Sequence, residues 1–428
     1  MSAPGDYAIG IDLGTSGCRA IAVDPDGRPL ARARVALPPP LTPADGWVEQ
    51  DPRLWWDAVL AVLKRIVTEL AGCRPVAIAV DGTSSTLLLA DPDGTPRGSA
   101  LMYNDRRATE AAAQVDRAAP PESPARGAGS SLSKLIYLAG GGCPHPGTLA
   151  LHQADWIGGG LAGRFGWTDW NNALKLGYDA ERLAWPDWVL GLIPRGIRLP
   201  QVLAPGATAG YLTPGLAEHL GLAPGARVAA GTTDSTAAVI AAGACRPGDA
   251  VTCLGSTLVL KIVSPRPVTS TRHGVYSHRF GDHWLVGGAS NSGGAVLRQF
   301  FDDTELAALS EAIDPDRPSG LDYYPLPRAG ERFPRHDPEF EPRIWPVPPD
   351  RQRFLQGLLE GMARIEAEGY ALLTRLGAPC PTRILTTGGG SANQTWEAIR
   401  RRYLGLPVIA AAHQEAAQGA ALLALGRA

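Results

Sequence analysis

The chain opens as apolar runs broken by small polar turns. "YAIGIDLG" and "CRAIAV" are two strand-like runs joined by a Gly/Thr/Ser turn, and "DPDG" (24–27) sends the chain into a third, "RPLARARVAL". Asp51 followed by Pro52 is a helix start, a side-chain cap and then proline at the first helical position. Leu54, Trp55, Val59, Val62, Leu63, Ile66 and Leu70 then keep helical spacing. "PVAIAVDGTSSTLLLADPDG" (75–94) predicts a buried strand, a polar turn over Asp81–Ser85 and another strand. The first ninety residues therefore read β-β-β-α-β, with polar residues gathered at strand ends.

From 105 to 225 the periodicity loosens into Pro- and Gly-rich pieces and short helical ones, which reads as an insertion on the first domain. Within it Lys134 reads as a solvated helix lysine, His152 as structural, and "WNNALKLGYD" (170–179) as a surface loop packed by Trp170 and Tyr178. Order returns at 226–244 as a strand, a polar turn and a small-residue helix. "AVTCLGSTLVLKIV" (250–263) then repeats the opening hairpin about 240 residues later, with Cys253 standing where Asp12 stands. Residues 326–350 are Pro-rich and read as a surface loop. A helix over 353–376 carries the stripe Phe354, Leu355, Leu358, Leu359, Met362, Ile365, Leu372 and Leu376. A strand into three glycines, a helix, the strand "PVIAAA" and an Ala-rich last helix complete the pattern.

Composition narrows the class. At 428 residues two domains are expected. The net charge of −2 and the lack of basic runs argue against nucleic acid as a partner. The 51 glycines and 38 prolines exceed the roughly 12% average share, yet lie among apolar segments, as in a loop-rich enzyme. Six scattered cysteines, with no C-x-x-C pair, argue against a zinc site or a disulfide framework. The first strand starts by Tyr7, and no apolar run approaches the ~20 residues of a membrane helix. The expectation is a cytoplasmic protein without a membrane partner.

Four segments carry candidate chemistry. The two Leu-Gly-hydroxyl turns, Gly14, Thr15 and Ser16 and later Gly255, Ser256 and Thr257, could be ordinary hairpins; as a pair they predict a clamp on nucleotide phosphates. No Walker-type G-x-x-x-x-G-K-[ST] occurs. Gly388, Gly389 and Gly390 between a strand and a helix predict an adenosine shelf, with Asn393 one turn in. Trp396 is read either as an adenine wall or as a packing residue. Asp234, after a buried strand, is either a helix cap or the general base that phosphoryl transfer requires. Asp12, opening a phosphate turn with a negative charge, is expected to recruit Mg²⁺, with Asp234 as a second ligand. A hydroxyl-rich substrate would suit Asp12, Asp81, Thr83, Ser84 and Asp234, although Asp81 and Ser84 could merely close a strand-end turn.

"GIDLGTSGCRAIAVD", "GWVEQDPRLWWDA", "LMYNDRR", "GTTDSTAA", "CLGST", "TTGGGSANQTW" and "EAAQGAAL" run in order from residue 9 to 422. Together they resemble the FGGY carbohydrate kinases of the actin/Hsp70/sugar-kinase superfamily. The resemblance implies an α/β fold of two ribonuclease-H-like domains around an ATP cleft, 1–241 plus 415–428 on the sugar side and 242–414 on the ATP side. It implies ATP and Mg²⁺ as cofactors, a small sugar as substrate, Asp234 as catalytic base, and a monomer or homodimer. "DGTSSTLLL" replaces the Gly-Gln-Met- or Gly-Gln-type turn of xylulose and glycerol kinases. With "SSLSKL", "QADWIGG" and the short chain, it looks like the compact D-ribulose kinases of cyanobacteria and plant plastids. The alternatives are a kinase for D-xylulose or another ketose or polyol, and an ATP-binding regulator without sugar kinase activity.

Overall fold

Alternation along the opening strand sets the layers of the first unit. In β1 (Asp6–Gly14) the odd positions Tyr7, Ile9, Ile11 and Leu13 are large and the even positions Ala8 and Gly10 are small. The large ones share a core with Trp55, Val59, Val62, Leu63 and Ile66 of α1 (Pro52–Glu69). Each buried aliphatic there contributes about 1.5–3 kcal/mol. Ala8 packs on the other face with Ala417, Ala421 and Ala424 of the C-terminal helix, Ala416–Ala424.

The computed structural model describes residues 5–141, 144–222 and 224–427. Cys143 lies outside them. The chain divides into two compact units, Met1–Ala241 with Glu415–Ala428, and Ala242–Gln414.

In the first unit β1 pairs antiparallel with β2 (Gly17–Val23), and β2 with β3 (Pro29–Ala36). Asp51 caps α1 by accepting from the Arg53 N–H, with Pro52 at the first position, as the sequence predicts. β4 (Arg74–Gly82) returns parallel to β1 and aligns Asp81 with Asp12. The next strand, β5 (Leu87–Ala90), leaves this sheet for a second, five-stranded one that also contains β6 (Thr148–His152). The loosely patterned region thus builds a second layer, with α2 (Ser131–Gly140) packed on it, while α3 (Gln153–Ala162) packs on β4 of the first sheet. Residues 170–179 are not a surface loop: α4 (Trp170–Ala173) and a 3₁₀ turn over Leu174–Leu176 bury Asn171, Asn172 and Leu176. β7 (Thr208–Tyr211) and β8 (Arg227–Thr233) complete the first sheet in the order β7-β8-β4-β1-β2-β3. No polar turn follows β8; α5 (Asp234–Ala242) begins at once.

The register between β8 and β4 slips by one residue, from Ala229 opposite Ala79 to Thr232 opposite Asp81. This is a β-bulge, a device that re-aims side chains beside functional sites. Gly231 sits in it, where a Cβ would lie 1.8 Å from the Val80 carbonyl oxygen.

The second unit repeats the plan. β9 (Asp249–Leu254) forms a hairpin with β10 (Leu258–Ser264), extended antiparallel by β11 (Tyr276–Phe280) and β12 (His283–Ser290) in the order β11-β12-β10-β9. α6 (Arg351–Arg375) follows, then β13 (Arg383–Thr387) parallel to β9, α7 (Gln394–Leu404), and β14 (Val408–Ala410) parallel to β13. Cys253 aligns with Thr387 as Asp12 aligns with Asp81. A buried Glu366–Arg400 pair at 2.6 Å joins α6 to α7, and its bonds with Thr252 and Thr386 fix both helices to β9 and β13. The Pro-rich stretch 326–350 is only partly a surface loop. Phe333 is fully buried, and the buried Glu331 accepts bonds from Ser290 Oγ and the Asn291 N–H.

Candidate active site

Three parallel neighbours, β8, β4 and β1, bring three acids to their carboxyl ends, the edge where α/β sheets bind ligands. Asp12 is on β1, Asp81 beside it on β4, and Asp234 immediately follows β8. Asp12 does not stand alone before a cation. Arg19, its partner across the β1–β2 hairpin, donates to it at 2.9 Å. Asp81 is fully buried, and neither carboxyl oxygen meets a donor. Burial above all, then the charges of Asp12 and Asp234, push Asp81 well above the usual carboxylate range, with Arg19 only partly opposing them. Asp234 is half-buried; one oxygen accepts from the Ser235 N–H at the start of α5, so it does form the local helix-start bond.

The turn after β4 is braced from beneath. Gln153 Oε1 accepts from the Thr83 N–H at 3.0 Å and from its hydroxyl at 2.8 Å, and Thr86 Oγ1 lies 2.6 Å from that hydroxyl. Thr83 is therefore a brace, and its direct sugar contact is corrected on that ground. Ser84 is the half-buried position of the turn. Ser85 follows with φ +73°. Asn171 Nδ2 donates to Thr232 Oγ1 at 3.1 Å, so α4 supports the strand leading to Asp234.

Lys134 is not solvated. It is fully buried, and Nζ donates to the carbonyls of Ser85, Met102 and Tyr103. His152 lies between Asp155 at 2.9 Å and Ser131 at 3.1 Å, a structural position.

The hydroxyl turns differ in their setting. Gly14 and Thr15 are half-buried and Ser16 is exposed in the β1–β2 turn. In the second turn all three carbonyls are occupied: Gly255 accepts from Gly294 N–H, Ser256 from Ala295 N–H, and Thr257 from Gly255 N–H. This arrangement biases the turn toward presenting donors, which suits an anion. Arg298 donates to Ser256 Oγ at 2.8 Å and adds a positive charge there.

The glycine segment is shaped by what lies under it. Gly388 has φ +84°, and a Cβ there would lie 2.7 Å from the Leu254 carbonyl oxygen; one at Gly390 would meet the Trp396 ring at 2.6 Å. Gly389 faces open space. Trp396 is 3% exposed within the core of its unit, so it supports the shelf from below and the wall reading is corrected. Asn393 caps α7 through the Trp396 N–H and donates to Ser310 Oγ. The glycines themselves form a 3₁₀ turn, Gly389–Ala392, ahead of that helix.

Arg19 and Arg298 escaped the sequence reading. A signal for Arg19 existed, since a tight turn centred on Thr15–Ser16 makes it the cross-strand partner of Asp12. Nothing local announced Arg298, whose partner is 42 residues away.

Two units built on the same hairpin-first α/β plan have the two-domain fold of the actin/Hsp70-like sugar kinases. Residues 7–129 match the FGGY family of carbohydrate kinases, N-terminal domain, and residues 250–427 match its C-terminal domain. A glycerol kinase of Gloeobacter violaceus is 30% identical, over 94% of this chain and 84% of its own. A xylulose kinase of Streptomyces coelicolor is 29% identical, over 99% and 89%. The crystal structure of xylulose kinase from Rhodospirillum rubrum is similar with TM-score 0.84 at 25% identity, covering 98% of this chain and 89% of that one. The chain belongs to the FGGY family of carbohydrate kinases. It is a sugar phosphotransferase, and sugar kinases of this family use ATP. Among the described residues no helix is long and apolar enough to cross a membrane.

Proposed function

We propose that this kinase transfers the γ-phosphoryl group of ATP to a terminal hydroxyl of a ketopentose, D-ribulose, giving D-ribulose 5-phosphate. The observation that carries the chemistry is the set of acids at the ends of β1, β4 and β8. Asp234 takes the proton from the attacking hydroxyl, whose oxygen bonds to the γ-phosphorus while the bond to the β–γ bridging oxygen breaks and ADP leaves. Gly14, Thr15 and Ser16 in the first unit, and Gly255, Ser256 and Thr257 in the second, are each a turn suited to phosphate oxygens, and the open face of Gly389 takes the adenosine. Ser84 meets the sugar, and Asp81, fully buried, acts from behind it through its charge coupling to Asp12 and Asp234.

The donor set at the acids is oxygen only, which suits Mg²⁺ held through one or two carboxylates with phosphate oxygens. No group of three or more His, Cys, Asp or Glu side chains converges on an ion site among the described residues, and such an ion does not require one. Asp12 and Asp234 would hold it, and it would neutralise phosphate charge.

D-Ribulose is favoured by the turn "DGTSSTLLL". D-Xylulose is the second reading, favoured by xylulose kinases among the relatives. A screen of D-ribulose, D-xylulose, ribitol, xylitol and glycerol decides between them. Expected is a kcat/KM for D-ribulose at least tenfold above the rest; a higher value for D-xylulose overturns the assignment.

A further inference from the structure

We propose that Lys134 is a positioning residue for the sugar acceptor, clamping the turn that carries Ser84 to the loop at Met102–Tyr103. The inference rests on the reading that this turn meets the sugar. Lys134 lies on α2 with no exposed surface. Its Nζ donates to Met102 O at 2.7 Å, Ser85 O at 2.9 Å and Tyr103 O at 3.3 Å. An ammonium has three N–H donors, and three carbonyls receive them.

A buried ammonium is unfavourable unless fully hydrogen-bonded, and an apolar side chain would fill the same space without that penalty. What an apolar residue cannot do is satisfy the carbonyls. Met102 O also accepts from the Asp105 N–H, but Lys134 is the donor that meets Ser85 O. Ser85 is held at φ +73°, a conformation that serine leaves unless its surroundings retain it. The turn is thus fixed at both ends. Gln153 and Thr86 hold Thr83, Lys134 holds Ser85, and Ser84 lies between them.

The second arm of the clamp reaches "LMYNDRR", the motif for which the phosphoryl-transfer reading found no task. Asp105 of that segment accepts from the Val48 N–H and from Arg107, which also pairs with Glu49. Lys134 therefore joins two loops that are separately anchored elsewhere. Burial lowers its ammonium to about 7; Asp105 opposes that shift, and Lys175 and Arg107 add to it.

The test compares wild type with Lys134→Met. The expected result is a KM for D-ribulose raised at least tenfold with the KM for ATP within twofold. Adding Ser85→Gly should recover at least threefold of the loss, since glycine holds a positive φ unaided. An unchanged sugar KM in folded Lys134→Met, or equal rises in both KM values, overturns the clamp. Amide exchange separates this failure from that of the acceptor reading, because it needs no substrate. Backbone amides over 83–86 and 101–104 should be protected in sugar-free wild type and exchange faster in Lys134→Met. Rapid exchange there in wild type overturns the clamp even if the variant does not fold. A wild type that phosphorylates no sugar of the panel, with these amides protected, overturns the acceptor reading alone.

Discussion

Trp396 illustrates how one residue type serves two readings. A tryptophan one helical turn beyond three glycines fits an aromatic wall, yet its ring lies under Gly390 in the core. Trp396→Ala should therefore lower stability by about 3–5 kcal/mol, as large-to-small core changes do. Trp396→Phe should leave the KM for ATP within twofold. Denaturant melts and ATP titrations check both, and a large ATP effect from Trp396→Phe in a stable protein would restore the wall. Lys134 and Asn171 look solvent-facing in the sequence for a related reason. Polar residues in short helical segments suggest solvent, and only partners remote in sequence, Ser85 for one and Thr232 for the other, reveal them as interior.

Among elements, the hairpins and α1 were legible because their determinants are local. Asp51 and Pro52 start α1, and small-residue turns close β1–β2 and β9–β10. The second sheet of the first unit was not legible. Several of its strands are two residues long, and β5 pairs with β6 across some sixty residues. The bulge in β8 was equally hidden, since register is a property of two strands. Its energetic test is Gly231→Ala, whose Cβ would enter the Val80 carbonyl. The expected result is a destabilisation of about 1–3 kcal/mol or more by denaturant unfolding, with kcat reduced in the protein that remains folded. Wild-type stability in that variant would mean that the bulge relaxes freely.

Across the whole chain, duplication is the organising fact. The repeat was visible as "DLGTS" against "CLGST", and the strand order of the two sheets extends it beyond the hairpins. The copies have diverged at the matched position, Asp12 in one and Cys253 in the other. The second unit also carries its own acid sensitivity. Burial opposes ionisation of Asp249, but the Arg383 guanidinium and the N–H groups of Cys245 and Arg246 hold its carboxyl at about 2. Its folded value lies below the unfolded ~3.9, so its contribution is present above pH ~4 and is lost as pH falls toward 2. Asp249→Asn should flatten that acid limb of the stability curve, measured by denaturant midpoints between pH 5 and 2. An unaltered limb would assign the acid loss elsewhere.

The division of labour between the acids is tested most directly by Asp234→Ala. Single-turnover transfer to D-ribulose and calorimetric ATP binding are measured on the same preparation. The account predicts transfer reduced by about 10²–10⁴-fold while ATP still binds, since Asp12 remains to hold the ion. Retained transfer, or transfer lost together with ATP binding, would contradict it.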